Sequence, residues 1–298
     1  MIAMQHVTRC FGRTRAVDDV SLSIDAGDSV ALWGANGAGK TTLLRCVLGL
    51  LRFRGTISVE QRDVRRDGKA ARLRIGYVPQ ELGFYDDLGV GEAVAYFARL
   101  KGLQRVDTAE TLARVGLAGA GRKRIRELSG GMKQRLALAI ALLGDPPVLL
   151  LDEVTASLDA VGREEFVQLL ERLSGAGRTL LFASHRIEEV ACLARRVVML
   201  ERGRLTDVLS CDDFVARMGR SAVLHLILAQ DLRERAIRSL AAGGFCARRN
   251  GVGVLVPVAP EEKAAPFRVL AEARIPIDDF ELIPAAVSDA RAVSGERP

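Results

Sequence analysis

The chain has no apolar run long enough to cross a bilayer. Its most hydrophobic stretch, residues 136–151, is interrupted by Gly144-Asp145-Pro146-Pro147, whereas a membrane-spanning helix needs roughly 20 largely apolar residues in succession. Residues 1–13 offer neither an apolar core nor a small-residue cleavage site, so no secretory leader is expected and a cytoplasmic location is. Cysteines at C-x-x-C spacing are missing as well. Cys10, Cys46, Cys192, Cys211 and Cys246 are odd in number and widely scattered, which predicts buried, reduced thiols. Aromatic residues make up only 5% of the chain, and Phe53 alone interleaves its most basic segment. A stacking surface for nucleic acid is therefore not expected.

What is present suits a large domain followed by a small one: 298 residues, 49% hydrophobic and 27% charged. The net charge of +6 is unevenly spread. From residue 209 onward acids and bases balance, so the excess lies earlier. Much of it falls in Arg52, Arg54, Arg62, Arg65, Arg66, Lys69, Arg72 and Arg74, opposed by Glu60, Asp63 and Asp67. A solvated face is the expected reading, and attraction to an anionic lipid surface or an acidic loop of a membrane partner is the alternative.

Hydrophobic patterning predicts a layered α/β core. Ser29 to Trp33 reads as a strand that ends at a glycine-rich loop, and residues from Gly39 to Leu50 read as a helix. Strand-length apolar runs recur at 148–152, 179–184 and 197–201, separated by helical segments at 160–174 and 186–194, an alternation that implies a parallel sheet covered on both faces. The runs 2–8, 20–24, 56–59 and 75–78 suit an antiparallel edge layer. Residues 90–143 are helical in pattern, with breaks at Gly116–Gly121 and at Ser129-Gly130-Gly131. Composition shifts near residue 210, where Ser210, Asp212 and Asp213 are candidate linker and capping residues. Beyond it the order strand 222–228, helix 231–242, strand 245–249, turn Asn250-Gly251, strand 252–258, helix 260–273 and strand 276–283 is that of a ferredoxin-like split unit. Residues 285–298 are small and polar enough to fray.

The chemistry concentrates in a few motifs. Gly34-Ala35-Asn36-Gly37-Ala38-Gly39-Lys40-Thr41-Thr42 contains G-x-x-x-x-G-K-T between a strand and a helix, so its backbone N–H groups and the helix N-terminus suit a triphosphate. Lys40 is placed to reach the outer phosphates and Thr41 to hold Mg2+. Asp152 and Glu153 emerge at the carboxyl end of a buried strand, where open α/β sheets bind ligands. Asp152 is expected to hold the metal, directly or through water, and Glu153 to act as general base on the attacking water. His185, one of only three histidines, also follows a strand and is placed to reach the γ-phosphate region. His6 and His225 lie within expected strands and read as structural.

With Gln80 and Leu128-Ser129-Gly130-Gly131-Met132-Lys133-Gln134-Arg135 added, the ordered set resembles the nucleotide-binding subunit of an ATP-binding cassette (ABC) transporter over residues 2 to about 208. The fold implied is the P-loop NTPase core of ABC ATPase type, with an antiparallel β layer and a helical insertion over 1–208, plus the small α+β unit over 209–298. The resemblance implies that Phe11 stacks on adenine, that Gln80 serves Mg2+ and the lytic water, and that Ser129, Gly130 and Gly131 bind the γ-phosphate of ATP held by a second subunit. It also implies that Ser157-Leu158-Asp159 communicates across that dimer, and that two ATP molecules are sandwiched between two subunits. Transmembrane permease subunits are the implied partners, and the membrane is met through them on its cytoplasmic side. Tyr85-Asp86-Asp87-Leu88 and Phe97 to Leu103 resemble the export-type branch. Val154 stands where most members have proline, and Ala156-Ser157 where most have Ser-Gly, departures that bear on coupling and turnover. The small C-terminal unit, with no second phosphate loop and no cluster of metal ligands, is expected to regulate or dimerise. The competing classes are a soluble non-transport ABC ATPase and a nucleotide sensor that does not hydrolyse. One copy of each motif and the lack of sustained heptads count against the first.

Overall fold

The computed structural model describes residues 1–219, 222–250, 253–258 and 262–284. The fraying expected of 285–298, and Gly251 of the expected turn, lie outside them. The chain divides into two compact units, Met1–Cys211 and Asp212–Pro298.

Two long strands open the first unit, β1 (Ile2–Phe11) and β2 (Thr14–Ile24), paired antiparallel. Next come β3 (Ser29–Trp33) and α1 (Lys40–Val47), then β4 (Arg54–Val59) and the two-residue β5 (Arg62–Asp63). A short helix α2 (Gly68–Leu73) leads into β6 (Ile75–Val78). The helices α3 (Val90–Leu100), α4 (Thr108–Ala113) and α5 (Gly130–Ala141) form the insertion. Alternation then resumes with β7 (Val148–Asp152), α6 (Ala160–Gly175), β8 (Thr179–Ala183), α7 (Ile187–Leu193) and β9 (Arg196–Glu201), closed by β10 (Arg204–Ser210).

These strands make two sheets. One is antiparallel, in the order β2-β1-β4-β5. The other runs β10-β9-β3-β8-β7-β6, parallel throughout except for β10. Every residue of β3, β7 and β8 is buried, as expected of parallel strands covered on both faces. The helix α1 belongs to the core between the sheets: Leu43, Leu44 and Val47 share a buried cluster with Ile2, Met4, Ile24 and Ile57 of one sheet and Leu150, Leu181 and Val198 of the other. Removing water from such leucine side chains stabilises by about 2–3 kcal/mol each, so the helix that carries Lys40 is anchored by its apolar face.

Three expectations are corrected. Ile75–Val78 is not part of the antiparallel layer. It pairs parallel with β7, Ile75 beside Val148 through Val78 beside Leu151. Helices α3 to α5 make the crossover that parallel pairing requires, and a four-residue run does not reveal its direction. The interruption expected at Ser129-Gly130-Gly131 is where α5 starts: the Ser129 hydroxyl accepts from Met132 N–H at 3.3 Å and caps the helix whose first residues are Gly130 and Gly131. The cysteines are not uniformly buried: Cys46 is, whereas Cys10, Cys192 and Cys246 are exposed. The strand expected at 245–249 shortens to two residues, Arg248–Arg249.

The second unit begins with α8 (Cys211–Gly219), which straddles the boundary, and continues with β11 (Ala222–Ile227), α9 (Arg233–Ala242), β12 (Arg248–Arg249), β13 (Gly253–Val258), α10 (Ala265–Glu272) and β14 (Asp279–Pro284). Its sheet is antiparallel in the order β12-β13-β11-β14, the arrangement of a ferredoxin-like split unit. Leu224, Leu226, Val254 and Val256 pack on Ala236 and Leu240 of α9 and Leu270 of α10.

One lysine ties the insertion together. At the C-terminus of α3, Lys101 Nζ donates to Leu143 O at 2.9 Å, Ala141 O at 3.3 Å and Ile140 O at 3.4 Å, the carbonyls at the end of α5. A cation there complements the helix dipole. Burial opposes the charge and pushes the Lys101 ammonium down to about 8. Between that value and the ordinary lysine pKa the unfolded chain holds the extra proton, so stability rises with pH through the window. Thermal unfolding of native protein and Lys101→Met at pH 7.5 and pH 10 should show the native chain gaining, relative to the variant, on the order of 2 kcal/mol.

Candidate functional site

The parallel strands deliver their carboxyl ends to one cleft. It has a volume of about 410 Å³ and is lined by Phe11, Ala16, Asn36, Gly37, Ala38, Gly39, Lys40, Thr41, Thr42, Gln80 and Glu153. Gly34 and Ala35 lie beneath the lining, where their carbonyls accept from Lys40 Nζ at 2.7 and 3.3 Å. Two glycines allow this close path. A Cβ on Gly34 would stand 2.3 Å from Leu200 O, and one on Gly39 2.3 Å from Ala16 O, with Gly39 in the left-handed region at φ 104°.

The loop suits an anion. Helix α1 has no side chain capping its N-terminus and no acidic residue in its first turn, so its leading N–H groups point to the cleft unneutralised. Lys40 adds a cation that is only 4% exposed. Its remaining partner is Glu153, Oε1 lying 3.2 Å from Nζ.

Asp152 sits deeper. The Thr41 hydroxyl donates to Asp152 Oδ1 at 2.9 Å, and the Tyr77 hydroxyl lies 3.5 Å from Oδ2. Burial raises the Asp152 carboxyl above its ordinary range. A carboxylate and a threonine oxygen held together, with Gln80 in the cleft lining, are hard oxygen donors of the kind Mg2+ prefers, so the residues present fit that ion.

Glu153 is the turning point of the site. Its backbone is left-handed at φ 47°, uncommon for a residue with a side chain, and Glu153 N–H donates to Ala183 O at 3.1 Å. This turn swings the carboxylate off the end of β7 and into the cleft. The His185 ring, with Nδ1 3.3 Å from Glu153 Oε2, is the main influence holding the carboxyl below its ordinary range, and Lys40 assists against the opposing effect of burial. The result is an ionised acceptor beside a phosphate-binding loop.

Phe11 is 48% exposed and lines the cleft at the end of β1, with the Arg9 guanidinium carbon 4.4 Å from its ring centroid. Ser129, Gly130, Gly131 and Asp159 are not in the cleft lining. They sit at helix N-termini: Ser129 caps α5, and Asp159 caps α6 by accepting from Gly162 N–H at 2.8 Å. A Cβ on Gly131 would meet Leu158 at 3.6 Å, so these two segments adjoin each other. His6 stays outside, exposed and paired with Asp19 at 2.8 Å, and His225 is buried in β11.

Sequence reasoning missed Ala16 and Tyr77. Ala16 contributes through its backbone, which no side-chain pattern signals. Tyr77 reaches Asp152 only because β6 lies beside β7.

The family described as ABC transporter matches residues 17–156. The daunorubicin resistance ATP-binding protein DrrA3 of Streptomyces coeruleorubidus is 34% identical over 288 residues, 94% of this chain and 91% of that protein. The chain belongs to the ABC transporter family. The linearmycin resistance ATP-binding protein LnrL of Bacillus subtilis (strain 168) is 30% identical over 81% of this chain and 80% of its own length. Among solved structures, the dimeric post-hydrolysis state of the ATP-binding cassette MJ0796 bound to ADP and Pi superimposes with a TM-score of 0.64 at 26% identity, covering 71% of this chain and 99% of that one. The protein is thus an ABC ATPase subunit that binds and hydrolyses ATP to energise transport through a separate permease. ABC ATP-binding subunits dimerise and work with transmembrane partners.

Gly39→Ala forces the loop away from Ala16 O and strains its backbone. The variant should bind a fluorescent ATP analogue at least about 10-fold more weakly, as read by equilibrium titration, with its thermal transition still cooperative.

Proposed function

We propose that the cleft takes MgATP with Phe11 against the adenine, residues 34–42 around the phosphates, and Thr41, Asp152 and Gln80 about the metal. Bound Mg2+ would supply neutralisation of phosphate charge. Lys40 exchanges Glu153 and the Gly34 carbonyl for phosphate oxygens, which frees Glu153 to accept a proton from the attacking water. His185 keeps the carboxylate turned toward the γ-phosphate and donates a hydrogen bond there. The observation that carries the reading is Glu153 held between Lys40 and His185, 3.2 and 3.3 Å away, on a strained turn that aims it into the cleft.

Ser129, Gly130, Gly131 and Asp159 stand apart from the cleft on adjoining helix ends. They serve the γ-phosphate in the cleft of a second subunit, so two copies or two related chains enclose two ATP molecules. The exposed Tyr85 and the α3 face carrying Tyr96 and Leu100 receive the permease, which places the subunit on the cytoplasmic face of the membrane. Among the described residues no helix is long and apolar enough to cross a membrane, in keeping with a separate permease. Export is the direction favoured, because relatives include a Nod factor export ATP-binding protein I of Burkholderia orbicola and the two resistance proteins. The domains expected at 1–208 and 209–298 carry catalysis and regulation or dimerisation respectively, with the division between the compact units falling after β10, at Cys211 and Asp212.

Glu153→Gln should bind ATP normally, hydrolyse it at least about 100-fold more slowly, and accumulate as an ATP-bound dimer. Captured from gently solubilised membranes, that dimer should bring a multi-span protein with it; capture of soluble chains alone would overturn the permease assignment. Removing residues 212–298 should leave ATP affinity within about 3-fold of native while changing dimer stability, read by titration and light scattering. Loss of ATP binding in a truncated chain that still melts cooperatively would refute the regulatory role.

A further inference from the structure

Behind the catalytic pair lies a carboxylate almost shut off from solvent. Glu189 of α7 is 6% exposed, and a buried carboxylate is costly unless hydrogen-bonded and neutralised. Both requirements are met by residues from the loops that form the site and from the first turn of α6. The Thr155 hydroxyl donates to Glu189 Oε1, and the Ser184 hydroxyl donates to Oε2 at 2.7 Å. The guanidinium nitrogens Nε of Arg163 and Arg186 stand 3.9 and 3.7 Å from Oε1, close enough to balance its charge.

Each partner is tied to a functional segment. Thr155 lies in the turn that begins at Glu153, where Ala156 N–H donates to Glu153 O and Leu158 N–H to Thr155 O, both at 3.1 Å. Ser184 directly precedes His185, and its hydroxyl also accepts from Arg186 N–H at 3.0 Å, so the residues on both sides of His185 are fixed. Arg163 of α6 donates to Leu158 O at 2.9 Å, next to Asp159. One carboxylate therefore joins the Glu153 turn, the His185 segment and the Asp159 segment.

We infer that Glu189 is a positioning residue for hydrolysis: it sets the spacing between Glu153 and His185 and links that spacing to the segment carrying Asp159. This rests on the reading of Glu153 and His185 as the catalytic pair. Neither hydroxyl can turn away without leaving a buried carboxylate oxygen unpaired, so the two loops shift together or not at all. Without the carboxylate the hydroxyls lose their common acceptor, and Arg163 and Arg186 face each other as uncompensated cations. The turn and the histidine segment then become independent, while the nucleotide loop, tied to the turn by Lys40 on Glu153, keeps its own hydrogen bonds from Lys40 to the Gly34 and Ala35 carbonyls.

The predicted signature is a split between kcat and KM in the full chain with MgATP. Glu189→Ala should lower kcat about 30-fold or more while KM for ATP stays within about 3-fold. Glu189→Gln, whose amide oxygen still accepts from one hydroxyl while its NH2 donates to the other, should recover activity to within about 5-fold of native. Ser184→Ala should lower kcat about 10-fold and add nothing further on the Glu189→Ala background. Should Glu189→Ala fail to fold, Ser184→Ala and Thr155→Val carry the same test, because each removes a single donor. Native kcat in these variants, or a rise in KM with kcat unchanged, would overturn the inference. Glu153→Gln run alongside separates the two claims: if it hydrolyses ATP at the native rate the catalytic pair itself is wrong, whereas if it alone is inactive only the role of Glu189 falls.

Discussion

The buried ammonium of Lys40 is the constraint around which the first unit is arranged. A lysine this enclosed needs acceptors on several sides, and it finds them in the carbonyls of Gly34 and Ala35 and in the carboxylate of Glu153. Those acceptors come from the end of β3 and the end of β7, strands that are not neighbours but flank β8. The glycine loop, the acidic strand end and the helix that begins at Lys40 thus converge on one nitrogen. The apolar face of α1 makes the convergence durable, since moving Lys40 would also withdraw Leu43, Leu44 and Val47 from between two sheets. Binding energy for a phosphate is then available at small reorganisation cost, because the cation and the uncapped helix end are already in place.

A second layer of contacts governs hydrolysis once the nucleotide is bound. The left-handed backbone of Glu153 would be an unfavourable choice for an ordinary strand end. It persists because the segments on either side are held, by the bond to Ala183 O and by the hydroxyl contacts to Glu189. Val154, which stands where most family members have proline, is buried beside this turn. Its side chain anchors the position by packing, whereas a proline would do so through a restricted backbone.

Much of the site was legible because its chemistry requires particular residue types at close spacing. Glycines, Lys40 and Thr41 occupy one short stretch, and Asp152 and Glu153 follow an apolar run of strand length. What was hidden depends on contacts between distant positions. Glu189 reads as an ordinary acidic residue in the first turn of a helix, and only the fold reveals that Thr155 and Ser184 close over it. The strand β10 escaped notice because it is an edge whose residues alternate between exposed and half-buried, with no fully buried position to mark it. Direction of pairing in β6 was equally invisible in four residues. The ferredoxin-like order survived better, since its apolar runs are long and separated by clear helical segments, although β12 shrank to two residues once the chain found only a short pairing with β13.

The three bonds from Lys101 give α5 a mechanical character. The helix has twelve residues and is about 18 Å long, with Lys101 gripping one end and Ser129 capping the other. Hydrogen-bonded along its whole length, it bends little, so it behaves as a lever whose short input is the end of α3. A tilt of about 10° introduced there displaces the capped end by about 3 Å, comparable to the length of a hydrogen bond. Small movements of the insertion therefore suffice to make or break contacts at the far tip, without any part of the helix unwinding.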